Sequence, residues 1–253
     1  MTVKPLIPNT FTLLNLLSGS IAVLFAVHSN FVAAAIFMFF GIFFDFFDGL
    51  LARKLNVQSE LGIQLDSLAD MVTSGLVPGI VMYRLLALSV DAPQVASKNE
   101  WSTNFSFSDL RIEPLALMGL LVTLGSAYRL AKFNLDQEQQ SYFKGLPTPA
   151  NALLIVSLPL IIEFQNSALV TNLILNKWFL IGLTLFSCYI LNSNVKLLAL
   201  KFKNYKLSEN IYRYSIVVLA IVLLATLNFI AIPLIILCYI GISILKQILT
   251  KSI

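Results

Sequence analysis

Charge is scarce in this chain. Only 12% of its 253 residues are Asp, Glu, Lys or Arg, about half the share of a soluble domain. Histidine is scarcer still: there is one, His28. A single imidazole with no Ser or Cys nucleophile cued to it excludes hydrolase triads. Cysteine is limited to Cys188 and Cys238, both inside apolar segments. There they act as small hydrophobes, which excludes a disulfide framework and a thiolate metal site. Low-complexity tracts and solenoid-type repeats are missing. The net charge of +4 is modest and the lysines abut apolar runs, so nucleic acid is not an expected partner.

What fills the chain instead is apolar sequence, 58% of all residues, spread along its length. Runs long enough to cross a bilayer fall at about 11–28, 31–52, 66–88, 114–133, 149–165, 174–192, 213–230 and 232–247. The expected fold is therefore all-α: a polytopic integral membrane helix bundle of about eight transmembrane helices, seven if the last two runs are one. Pro233 marks the expected break between those two. Residues 1–253 read as a single membrane-embedded domain, and the first run reads as a retained span, not a cleaved signal.

Against this background, four carboxylates share one short stretch. Asp45 and Asp48 are three residues apart, Asp66 and Asp70 four, so each pair lies on one helix face. A charged side chain inside a membrane costs a few kcal/mol even on lenient scales, which makes such residues functional by default. Four carboxylates offer hard oxygen ligands without sulfur or imidazole, a donor set for Mg, Mn or Ca.

The stretch Asp45-Phe-Phe-Asp48-Gly49-Leu-Leu-Ala52-Arg53, eight residues, then Gly62-Ile-Gln-Leu-Asp66-Ser-Leu-Ala-Asp70 resembles the signature of the CDP-alcohol phosphotransferase family of membrane enzymes. All eight fixed positions are present. The resemblance implies that Asp45, Asp48, Asp66 and Asp70 ligate divalent metal ions, two per site, with magnesium or manganese the expected species and calcium the alternative. It also implies that Asp70 is the general base for the attacking hydroxyl. Gly49, Ala52, Arg53 and Gly62 would bind the nucleotide and its diphosphate, the small residues admitting it to the backbone and Arg53 pairing with phosphate oxygens. Close helix packing is the other reading of the two glycines. Gly75 and Pro78 would kink the third span and widen the pocket. A homodimer formed through membrane helices is the assembly the family implies.

The positive-inside rule places thirteen of the seventeen Lys and Arg on the cytoplasmic side if the N-terminus lies there. The aspartates then face the cytoplasm across the cell membrane. A polar loop is expected at about 91–113 on the far side, and a basic amphipathic stretch at 194–212 on the near one. The signature does not choose the acceptor. Tyr128-Arg129-Leu-Ala-Lys132-Phe-Asn134 and Phe143-Lys144-Gly145-Leu-Pro147-Thr-Pro149-Ala150 resemble segments of the family branch that joins CDP-diacylglycerol to L-serine with release of CMP. Arg129 is accordingly the candidate acceptor- or phosphate-binding residue. The same chemistry on glycerol 3-phosphate or an inositol phosphate is the alternative. A transporter is the distant one, disfavoured because the acids cluster at one face without a later counterpart.

Overall fold

The computed structural model describes residues 6–90, 113–135, 142–165, 167–198 and 207–251. Among them the chain is helical apart from one pair of short strands. The order is α1 (Leu6–Val27), α2 (Phe31–Lys54), α3 (Glu60–Asp70), a π-helical turn (Met71–Leu76), α4 (Val77–Ser89), a 3₁₀ turn (Ala116–Leu120), α5 (Leu121–Leu135), β1 (Tyr142–Lys144), α6 (Thr148–Phe164), α7 (Ala168–Ile174), α8 (Lys177–Asn192), β2 (Lys196–Leu198), α9 (Leu207–Leu227), a 3₁₀ turn (Asn228–Ile230) and α10 (Ala231–Lys251). The expected all-α membrane bundle is what forms.

Four stretches are long and apolar enough to cross a bilayer: 6–27, 31–54, 60–89 and 210–248. The pair α7 and α8, bent by 59° between them, is a broken candidate span; α8 itself covers the expected run at 174–192 to within three residues. The last stretch is a hairpin. Asn228 at φ 48° reverses the chain, and Lys246 Nζ near the end of α10 lies 5.6 Å from the Tyr212 ring centroid near the start of α9. The break therefore precedes Pro233, which sits in the first turn of α10, where its missing N–H and fixed φ are tolerated. The expected loop at 91–113 lies almost wholly outside the described residues, as does the middle, 199–206, of the basic stretch at 194–212. Its described beginning is β2, which pairs antiparallel with β1 and sets Lys144 opposite Lys196.

The packing is that of a membrane protein, with small residues inside and large ones facing lipid. The buried stripe of α1 is Pro8, Thr12, Asn15, Ser18, Gly19, Ala22 and Ala26, while Leu13, Leu17 and Leu24 are exposed. On α2 the inward face carries Ala34, Ala35, Met38, Gly41 and Asp48, and Phe39, Phe40, Phe43 and Phe46 point outward. The π turn nests against both helices at two glycines. A Cβ on Gly19 would stand 3.1 Å from the Thr73 backbone, and one on Gly41 would meet Thr73 Cγ2 at 2.6 Å. Gly19→Leu is therefore expected to lower stability by about 1–3 kcal/mol through overpacking, seen as a lower thermal midpoint in detergent.

The two ends of the bundle differ. At one end lie the aspartate motif, the strand pair and most described cations. At the other, Arg84 Nε donates to Ser29 Oγ at 2.8 Å and Gln165 Nε2 donates to the Leu227 carbonyl at 2.8 Å.

Candidate active site

The connection between the two aspartate pairs is built by local rules. Asn56 stands at φ 53° just past α2. Asn56 N donates to the Arg53 carbonyl at 3.3 Å and Val57 N to the Ala52 carbonyl at 3.0 Å, the bonding pattern of a Schellman cap, with Asn in the left-handed position that Gly usually takes. Three residues on, Ser59 caps α3, its hydroxyl accepting from Gly62 N at 3.0 Å. The eight-residue spacer thus holds one helix stop and one helix start, and it turns the chain so that α3 packs against α1. That reversal sets the two aspartate pairs face to face.

The carboxylates converge. Asp45, Asp48 and Asp66 each offer an oxygen within 4.8 Å of the others. Asp45 also stands within hydrogen-bonding reach of Asp70. Asp48 is buried and accepts a 2.6 Å bond from Thr12 Oγ1. Asp70 accepts from Asn15 Nδ2 at 3.3 Å. The Asn15 amide is in turn oriented by Thr73, whose hydroxyl donates to Asn15 Oδ1 at 2.6 Å. Asp66 Oδ1 is buried with no hydrogen-bond partner. Like charges held this close repel unless a cation stands among them, and an unpartnered buried carboxylate oxygen is costly. The donor set and its orphaned oxygen fit a hard divalent cation. Thr12→Val should weaken manganese retention by about 10- to 100-fold, the usual cost of losing a partner that orients a ligand. Calorimetric titration of the detergent-purified protein would measure it.

Beside the carboxylates is a pocket of about 340 Å³, lined by Pro8, Asn9, Thr12, Asp48, Gly49, Ala52, Arg53, Val57, Gln58, Ser59, Gly62, Ile63 and Asp66. Gly49, Ala52, Arg53 and Gly62 are all in its wall. Around Gly49 the space is open, an added Cβ meeting only Arg53 Nη2 at 3.8 Å, which favours ligand access over packing. Gly62 is tighter: its Cβ would come within 3.2 Å of Ser59 Oγ and 3.5 Å of Asn9 Oδ1. Asp45 and Asp70 are not among the residues that line it.

Gly75 and Pro78 do break the helix, Gly75 inside the π turn and Pro78 just after it, but neither lines the pocket. The Gly75 carbonyl accepts from Thr123 Oγ1 at 3.1 Å, and its Cα packs toward Met71 and Ser126. Their effect is to seat α5, not to widen the pocket.

Sequence reasoning assigned no role to Thr12, Asn15, Ser59 or Thr73. The available signal was the placement of Thr12 and Asn15 one turn apart on the buried face of a predominantly apolar helix.

Arg129 is buried on α5, its guanidinium 5.7 Å from the Phe133 ring centroid and close enough to Asp70 for the two charges to interact. Gly145, at φ 73°, takes a turn that favours glycine. Through it the β1 strand leads into α6, with Pro147 at the N-cap and Pro149 in the first turn.

A sequence model of the CDP-alcohol phosphatidyltransferase family matches residues 5–190. The chain belongs to this family. The match takes in every residue of the aspartate site and Arg129, and the enzyme's reaction class is CDP-alcohol phosphotransfer. Among curated relatives, the CDP-diacylglycerol–serine O-phosphatidyltransferase of Bacillus subtilis is 32% identical over 152 residues, 60% of this chain and 74% of that protein. The Helicobacter pylori protein of the same name is 31% identical over 160 residues, 62% of this chain and 59% of the other. An archaetidylserine synthase of Methanothermobacter thermautotrophicus is 29% identical over 154 residues, 60% and 56% of the two chains. The chain spans less than two thirds of the length of the latter two.

Proposed function

We propose that this family member transfers the phosphatidyl group of CDP-diacylglycerol to the hydroxyl of L-serine, forming phosphatidylserine and releasing CMP. The observation that carries the proposal is the convergence of Asp45, Asp48 and Asp66, with Asp70 beside Asp45, at a pocket walled by Gly49, Ala52, Arg53 and Gly62. The names of the relatives support serine as acceptor. The reading takes residues 1–253 as one membrane-embedded domain, supported by the packing of α10 on Leu146, Leu154 and the β2 residues Leu197 and Leu198.

Asp45, Asp48, Asp66 and Asp70 would hold divalent metal, two ions by the family resemblance. When bound, the metal neutralises diphosphate charge and stabilises the leaving oxygen. Arg53, exposed in the pocket wall, pairs its guanidinium fork with diphosphate oxygens. Gly49 and Ala52 present no bulk where the nucleotide passes. Asp70, held by Asn15, takes the proton of the serine hydroxyl as that oxygen attacks the phosphorus bound to diacylglycerol and the bond to the CMP oxygen breaks. Arg129 binds the serine carboxylate. The active site faces the cytoplasm across the cell membrane, supported by the gathering of cations at its end of the bundle. Two copies associate through membrane helices, on the family resemblance alone; cross-linking in native membranes checks it.

The test of the acceptor is CMP release by purified enzyme given CDP-diacylglycerol, manganese or magnesium, and serine, glycerol 3-phosphate or an inositol phosphate in turn. Serine should be used far above background. CMP release with glycerol 3-phosphate and none with serine would reject the assignment. Arg129→Ala should reduce serine-dependent release at least about tenfold, because a charge-assisted contact is worth roughly 1.5–3 kcal/mol. Arg129→Lys should recover part of it, a point charge replacing the fork.

A further inference from the structure

Helix α10 lies outside residues 5–190, the part of the chain that matches the family model, yet it reaches the surroundings of Arg129 through Tyr239. How it is held there follows from the register of the strand pair. Gly145 N donates to the Val195 carbonyl at 2.9 Å, one step beyond the partners Lys144 and Lys196. Antiparallel partners alternate between hydrogen-bonded and non-hydrogen-bonded positions. By that alternation Leu198, opposite Tyr142, turns its N–H and C=O away from β1. Leu198 is buried, and buried backbone groups need partners. Two side chains of α10 supply them. Tyr239 Oη donates to the Leu198 carbonyl at 2.8 Å, and Leu198 N donates to Ser243 Oγ at 3.3 Å. The Ser243 hydroxyl donates in turn to the Tyr239 carbonyl, one turn earlier, at 2.7 Å. The helix thus clamps β2, and the clamp fixes the direction of the tyrosine hydroxyl.

The one hydroxyl proton of Tyr239 is committed to Leu198, so toward any other neighbour its oxygen can only accept. That neighbour is a cation. Arg129 is close enough to interact electrostatically with Tyr239 on α10 as well as with Asp70 on α3. Both Arg129 and Tyr239 are buried, where a guanidinium needs oriented dipoles or counter-charges in place of water. A guanidinium binds a carboxylate with two bonds only if its planar fork is aimed at it. We propose that Tyr239 is a positioning residue for Arg129: its oxygen, oriented by the bond to Leu198, holds the guanidinium in the attitude that receives the acceptor. The α9–α10 hairpin is then part of the acceptor site. This rests on the reading of Arg129 as the residue that binds the acceptor, and it adds what aims that residue.

The test is a double-mutant cycle in the full-length enzyme, with kcat and KM measured from CMP release for L-serine and for CDP-diacylglycerol. Tyr239→Phe keeps the ring that fills the core around α10 and removes only the hydroxyl. It should raise KM for serine about three- to tenfold, the effect of one hydrogen bond, with KM for CDP-diacylglycerol unchanged. Ser243→Ala should move the same constant in the same direction and less far. A hydroxyl that serves stability alone would lower the active fraction, and with it the maximal rate, while leaving both KM values where they were. In the Arg129→Ala background, Tyr239→Phe should change KM for serine by less than about twofold, because residues acting through one another are not additive. An unchanged KM for serine in Tyr239→Phe, or the full rise retained in Arg129→Ala, overturns the positioning role and leaves serine as substrate. If the unaltered enzyme releases CMP with glycerol 3-phosphate and not with serine, the acceptor assignment falls, and the same cycle run with glycerol 3-phosphate decides the role of Tyr239.

Discussion

Changing Asp45, Asp48 or Asp66 to Asn, one at a time, is expected to reduce metal-dependent CMP release by about a thousandfold or more. Asn keeps the size and one oxygen of Asp but removes the charge that holds a divalent ion against a diphosphate. Loss of a preorganised electrostatic contribution of several kcal/mol has that scale. The three carboxylates lie within 4.8 Å of one another, so each contributes to the same small volume and none can replace a neighbour. The same variants should fold as well as the parent or better, because each removes part of the mutual repulsion in a partly buried cluster. Activity assayed across a manganese titration, together with thermal unfolding in detergent without metal, separates the two effects. Near-normal turnover in all three variants would reject the metal-site model. A lowered midpoint without metal in every variant would mean that the cluster is a structural network.

The cost of those charges makes the site legible in the sequence. Carboxylates in an apolar chain are expensive, so their spacing stands out from composition alone. The i,i+3 and i,i+4 separations put each pair on one face, and the structure joins them. The positions matched by pattern, Gly49, Ala52, Arg53 and Gly62, all reach the pocket wall. Less visible was whatever depends on contacts between distant segments. Thr12 is 36 residues from Asp48 and Asn15 is 55 from Asp70 in sequence, and a polar residue on an apolar helix does not announce its partner. Helix interruptions were read imperfectly for a similar reason. Proline was taken as the marker of the last break, but the reversal is made by Asn228 in a left-handed conformation, which an Asn adopts without any flanking signal. The π turn at 71–76 is likewise set by tertiary packing, with Thr73 seated between Gly19 and Gly41. Hydropathy does not carry that information. The bend between α7 and α8 falls where Asn176 caps a new helix, accepting from Trp178 N and Phe179 N, at the start of the expected apolar run.

Asp70 differs from the other three in how it is held, and that difference yields the most discriminating expectation. It stands outside the tight triad and is fixed by the relay from Thr73 through Asn15. Because the Thr73 hydroxyl occupies Asn15 Oδ1, the Asn15 amide must turn its NH₂ toward Asp70. An Asn at position 70 can accept the same bond through its own amide oxygen, so Asp70→Asn should leave the local packing intact. What it loses is basicity. General-base catalysis by a positioned side chain contributes about 10²–10⁴-fold, and loss of a ligand charge adds to that. Serine-dependent turnover should therefore fall by at least about a thousandfold. Binding of CDP-diacylglycerol in the presence of manganese, followed by titration, should change by less than about tenfold, because the nucleotide pocket is walled by Asp48 and Asp66 and not by Asp70. Asn15→Leu should move in the same direction and less far, lowering kcat while sparing nucleotide affinity, since it loosens the base without removing it. A fall in nucleotide affinity matching the fall in turnover would show Asp70 to be chiefly a metal ligand, and the proton of the attacking hydroxyl would then have to leave by another group.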